Sequence, residues 1–266
     1  MLLSLLLGGL LVPAASPAPA RPVAAAPPAA PAAAASGALS SPAAPAPSGT
    51  PAAPLPPATA GEAPLLRLVA AAFTTMASTR YQHHTDVDVA AGSYRFDCVG
   101  LVSWALRQAT PLAWQALRQR MALAPGRGAS PPTYERFFRS LQQRPAPGWQ
   151  ALPRVEDLRG GDVVSWARRT SHASGHALIL AAAPQRLEPG VWQVVVFDAT
   201  STPHLQDSRP TDPRAQRFDR TGRPSGLGRG VAALVVDPHS GALLGFRWRP
   251  QGPTVLVPIA AARPLA

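Results

Sequence analysis

The placement of proline constrains this chain more than any other feature. Of its 33 prolines, 15 fall in residues 1–64, where only Arg21 and Glu62 are charged and no side chain is aromatic. Proline fixes φ and removes a backbone donor, so a stretch this rich in it cannot build regular ladders. Such a segment also buries too little apolar surface to offset the entropy of ordering it. The remaining 202 residues, 65–266, hold every aromatic side chain and nearly all the charge. That length suffices for one domain with a sizeable core.

Within the proline-rich part, residues 2–12 form an apolar run, far shorter than the roughly 20 residues that span a bilayer. Small residues follow, including Ala18-Pro19-Ala20. This layout predicts a signal peptide over 1–20, with retention as a weak anchor as the alternative, and no stable membrane span. It is followed by a Pro/Ala-rich disordered linker over 21–63 and a folded domain over 64–266. The expected location is exported, in the periplasm or outside the cell.

All 25 basic residues are arginine, there is no lysine or asparagine, and the formal net charge is +11. A GC-rich genome that writes Arg for Lys accounts for this, and so does attraction to a polyanion. The arginines are scattered and no nucleic-acid-binding motif accompanies them, so nucleic acid is not expected as a partner. The single cysteine excludes an intramolecular disulfide and a cysteine-cluster zinc site.

Hydrophobic spacing predicts helices over 65–76, from Asp97 through Ala109, over 111–121 and over 133–143. After Gly160-Gly161 the period becomes strand-like, with strands at 162–166, 176–180, 192–197, 231–236 and 243–248. Residues 207–230, rich in Arg, Pro and Gly, read as an irregular surface loop. Helices first and antiparallel strands afterwards make the class α+β.

Cys98 stands at the first turn of a helix that Asp97 can cap. A helix N-terminus carries partial positive charge, which favours thiolate, the competent nucleophile for acyl transfer. Its free N–H groups can support an oxyanion. A cysteine nucleophile needs a base, and His176 opens a strand behind a glycine; His172, in a polar loop, is an alternative. The base needs an orienter for its other nitrogen. Asp198 ends the next predicted strand, and His204 follows six residues later, expected in a loop over the site; either can complete the triad. His83, His84 and Asp86 match no standard metal spacing, and no metal or other cofactor is expected. Trp166, Trp192 and Trp248 read as core.

Phe96-Asp97-Cys98-Val99-Gly100-Leu101-Val102 on a helix, then Gly161-Asp162-Val163-Val164-Ser165-Trp166, then Gly175-His176 opening a strand, together resemble the NlpC-type cell-wall cysteine peptidases. The resemblance covers roughly residues 78–200. It implies a papain-like core, N-terminal helices packed on an antiparallel sheet, and a peptidoglycan endopeptidase that cleaves a stem-peptide amide bond. Cys98, His176 and Asp198 fall on the nucleophile, base and orienter positions. Tyr81 fits a tyrosine that such enzymes place beside the site, with Tyr94 as its rival, and peptidoglycan or another anionic wall polymer is the implied partner. Val99 stands where serine is common, and His83-His84 replaces a usual Gly-Gly. An amidase or acyltransferase with a non-wall substrate, and a non-catalytic Arg-rich wall-binding module, are the competing expectations.

Overall fold

The computed structural model describes residues 63–168 and 175–266. The expected signal peptide, the linker up to residue 62 and His172 lie outside them. Four helices come first: α1 (Pro64–Thr75), α2 (Cys98–Ala109), α3 (Pro111–Arg120) and α4 (Pro131–Ser140). Between α1 and α2 run three short strands, β1 (Ser78–Tyr81), β2 (Asp86–Asp88) and β3 (Ser93–Phe96). They form a small sheet in the order β1-β3-β2, with β1 parallel to β3.

The main sheet is built from β4 (Trp149–Ala151), β5 (Val163–Ala167), β6 (Gly175–Leu180), β7 (Gln185–Glu188), β8 (Val191–Thr200), β9 (Gly226–Val236), β10 (Leu243–Arg247), β11 (Val255–Leu256) and β12 (Ile259–Pro264). Its order is β11-β10-β9-β8-β6-β5-β12-β4, with β7 pairing on β8, and every pairing within it is antiparallel. The α+β class therefore holds. Among the described residues no helix is long and apolar enough to cross a membrane.

Strand alternation splits the core in two. Val163, Ala177, Ile179, Phe197 and Ala199 point to the helix side, where Leu65, Val69, Leu101, Ala105, Tyr134 and Phe137 meet them. Val164, Trp166, Leu178, Leu180, Val194 and Val196 point the other way, onto Leu234, Phe246 and Ile259. By the same alternation His176 and Asp198 belong to the second face.

Several sequence expectations are corrected. The segment between the strands at 176 and 192 contains β7, which turns back on β8 around Gly190. The segment 207–230 is not a surface loop throughout: Arg209 is fully buried, and residues 226–230 are already β9, paired with residues 196–200 of β8. The strand bearing Asp198 does not stop there but runs on to Thr200. The small sheet and β12 carry no clear strand period and were not expected.

Candidate active site

The N-terminus of α2 sets the first element of the site. Asp97 caps it, its Oδ1 accepting the Gly100 N–H at 2.7 Å. Cys98 follows and is buried. The sulfur sits at a break in the main sheet. Strands β6 and β8 pair only at Ile179–Phe197 and Leu180–Val196. The Ala181 N–H donates across to the Val195 carbonyl at 2.8 Å, so odd-numbered N–H groups of β6 face β8. At Ala177 the ladder has ended, and its N–H lies near the Cys98 sulfur, where it favours the thiolate.

On the other face of that break, His176 and Asp198 meet. Continuing the β6–β8 register sets His176 opposite Thr200, which makes Asp198 its diagonal neighbour on the same face. His176 Nε2 lies 2.6 Å from Asp198 Oδ2. Trp166, the direct cross-strand partner of His176, packs its ring 5.2 Å from the imidazole. Trp248 closes the other side, edge-on at 5.2 Å.

Asp198 gathers further partners. His204 Nε2 lies 2.9 Å from the same Oδ2, and Arg209 pairs with Oδ1 while also donating to the Asp198 backbone carbonyl at 2.6 Å. Asp207 braces this shell, accepting from the Arg209 guanidinium at 2.6 Å and from the His204 backbone N–H at 2.8 Å. Trp248 stacks on His204 at 4.0 Å and its carbonyl lies 3.1 Å from His204 Nδ1. Burial alone would raise the Asp198 carboxyl. The charges of Arg209 and His204 and the contacts from both imidazoles outweigh it and hold Asp198 well below the usual carboxylate range. Burial opposes a charged His204, yet Asp198 outweighs it and raises that imidazole above its ordinary value.

The thiol behaves differently from the sequence expectation. Burial, and then the charge of Asp97, push Cys98 up to about 12, against the favourable N–H groups of Ala177 and Val99. The carboxylate that caps the helix thus opposes the thiolate that the helix start was expected to favour. Tyr81 is half-buried at the end of β1, and its phenol is raised by burial and then by the nearby charges of Cys98, Asp97 and Asp198.

The remaining candidates separate. Tyr94 is core, packed on Trp104 at 5.5 Å, and does not belong to the site. The His204 side chain is wholly buried behind Asp198 rather than in a loop over the site, so it cannot touch a substrate. Trp248, expected as core, borders both histidines. His83 and His84 are exposed beside the start of α2, and Asp86 lies on β2, 3.8 Å from Arg95.

Sequence reasoning missed Arg209. A signal was present in Gly226-Leu227-Gly228-Arg229-Gly230, glycine at period two in a strand, which marks close approach to its bare face. A Cβ on Gly228 would fall 2.6 Å from the Arg209 Cζ, and one on Gly230 would fall 2.7 Å from the His204 Cβ.

Among the described residues, His176, Asp198 and His204 could also hold a cation, with ligand atoms within 4.8 Å of one another. Both imidazole nitrogens already lie within hydrogen-bond distance of one carboxylate oxygen. A divalent metal would have to break both contacts and sit beside the Arg209 guanidinium. The arrangement suits proton handling better: a buried ionised carboxylate behind an imidazole whose Nδ1 has no partner among the described residues. Compared with protein-family models, with curated proteins and with solved structures, the chain matches none of them.

Proposed function

We propose that this chain is an exported cysteine hydrolase with a papain-like, NlpC-type arrangement that cleaves a stem-peptide amide bond of peptidoglycan. The observation that carries the reading is that one break in the sheet has Cys98 on its helix side and the His176–Asp198 pair on its other face. Cys98 lies by the N–H of Ala177, the residue just before Ala177 is the base His176, and Asp198 holds that base by Nε2.

In this reading the thiol is protonated at rest. His176 removes its proton through Nδ1 as the sulfur attacks the substrate carbonyl, in a concerted rather than a preformed thiolate attack. The Cys98 backbone N–H and the Tyr81 hydroxyl support the oxyanion. Collapse returns the proton to the leaving amine and leaves a thioester on Cys98, which water cleaves with His176 again as base. Asp198 stays ionised throughout, fixing the tautomer and balancing the imidazolium.

The test is digestion of purified peptidoglycan by the full chain, with mass analysis of the soluble products. Fragments cut at a stem-peptide amide support the reading. Intact stems, with cleavage only in glycan or none at all, overturn it. A protonated resting thiol adds a second expectation. Iodoacetamide should label Cys98 slowly at pH 7, and the rate should climb about tenfold per pH unit across the alkaline range. Fast labelling with no pH dependence above neutrality would point to a preformed thiolate–imidazolium pair.

A further inference from the structure

A cleft of about 550 Å³ opens beside the start of α2, with Asp97, Val99 and Gly100 in its wall. Arg107 from α2, Arg118 from α3 and Arg127 from the segment before α4 also line it. None of the three makes an ion pair among the described residues. The Nε of Arg118 is buried and has no hydrogen-bond partner there. The Nε atoms of Arg80, Arg95 and Arg229 share this state, so what sets Arg118 apart is that its guanidinium lines the cleft together with those of Arg107 and Arg127.

The rest of the lining narrows what those three groups would hold. Asp97 is the cleft's one carboxylate, and its Oδ1 is engaged by the Gly100 N–H while Oδ2 lies 3.5 Å from His83. Against it stand three guanidinium groups. Ser103 and Ser130 offer hydroxyls, and Trp114 offers an aromatic wall over which Arg107 sits at 5.8 Å. Guanidinium forks match carboxylates bidentately, and the mixed hydroxyl and aromatic lining suits a peptide better than a bare polyanion.

We infer that this cleft is the subsite for a carboxylate-bearing peptide, held by Arg107, Arg118 and Arg127 while Cys98 works on the neighbouring acyl group. Its place on a substrate rests on the cysteine-hydrolase reading; its binding chemistry does not. The cleft therefore confers a preference for acidic peptides, through charges local to the site rather than through the overall +11.

The test uses the full chain carrying Cys98→Ala, so no turnover is needed. Its titration with the capped peptide Ala-Glu-Glu-Ala at low ionic strength is compared with the Ala-Gln-Gln-Ala counterpart. The acidic peptide should bind and the neutral one should not. Replacing Arg107, Arg118 and Arg127 together by alanine should weaken binding at least about tenfold, and the single Arg107→Ala and Arg127→Ala exchanges, both at exposed positions, about threefold each. A matched triple, Arg144, Arg186 and Arg220 to alanine, removes the same net charge from exposed positions that do not line the cleft, and should change affinity less than about twofold. Equal losses in the two triples, or equal binding of the Gln peptide, overturn the inference. So does tighter binding of a single-stranded oligonucleotide through the same three arginines. Peptidoglycan left uncut by the wild-type chain, with the acidic-peptide preference still shown by the Cys98→Ala chain, would count against the hydrolase reading and leave the subsite standing.

Discussion

Asp162 and Asp198 are both wholly buried, one just before a strand of the main sheet and one within it, and both are bonded to an arginine. Asp162, just before β5, accepts from Arg263 at 2.7 Å and 2.9 Å and from the Arg159 backbone N–H at 2.7 Å. Asp198 has Arg209 and, in addition, two imidazoles on one oxygen. The outcome differs in sign. Burial wins at Asp162 and raises its carboxyl, whereas cations and donors win at Asp198 and hold it far down. A buried ion pair alone does not make a dependable anion, because desolvation of both charges offsets their attraction. What distinguishes Asp198 is the second set of partners, and that set includes the proposed catalytic base.

The comparison can be broken most sharply at Asp198 itself. Asp198→Asn keeps the shape but removes the charge behind His176, and should lower turnover roughly 10³- to 10⁴-fold. It should also cost about 3–5 kcal/mol of stability, because Arg209 stays buried with Asp207 as its only remaining carboxylate. Denaturant melts and rates per folded molecule separate the two effects; turnover within a few-fold of wild type would remove Asp198 from the mechanism. Asp162→Asn should cost less, about 1–3 kcal/mol, because the amide can still accept from Arg263. Turnover per folded molecule should not change. If Asp162→Asn proves as costly as Asp198→Asn, the electrostatic contrast between the two pairs is wrong.

Acid titration of stability sharpens the same contrast. The lowered Asp198 supplies stability that is present above the ordinary carboxyl value of 3.8 and is lost as pH falls through its folded value. The raised Asp162 acts oppositely, its share being lost as pH rises from 3.8 through its own folded value. Removing Asp198 should therefore flatten the acid limb of the melting profile, and removing Asp162 should steepen it.

The smallest effect belongs to His204. Its raised value means that its contribution is complete below 6.5 and is lost as pH rises through the folded value. His204→Gln should erase that alkaline loss. A residue that touched substrate would change affinity, whereas His204, buried behind Asp198, should leave affinity alone and lower turnover modestly. An unchanged alkaline slope would show that His204 is not charged in the folded protein.

Much of this was legible in the chain. Helical spacing with caps and prolines marks α1, α2 and α3 closely, and apolar strands betray β5, β6 and β8. Cys98, His176 and Asp198 announce themselves through local context, a capped helix start, a Gly-His strand start and a strand's polar end. Strand β12, Ile-Ala-Ala-Ala-Arg-Pro, carries little intrinsic strand preference, and it is a strand because β5 and β4 pair with it. The partners of Asp198 depend on the β8–β9 register, which no local window contains. The thiol's state was misjudged for a similar reason, since helix polarity is local but burial is not.

The Cys98 mechanism requires the acyl group to pass through the sulfur. Full-length protein mixed with soluble stem-peptide fragments of peptidoglycan, quenched in acid and mapped by mass, should carry a thioester on Cys98. The adduct should vanish, together with turnover, in Cys98→Ala protein that melts like wild type. Turnover by Cys98→Ala undiminished from wild type, or an adduct on any other residue, would contradict the account.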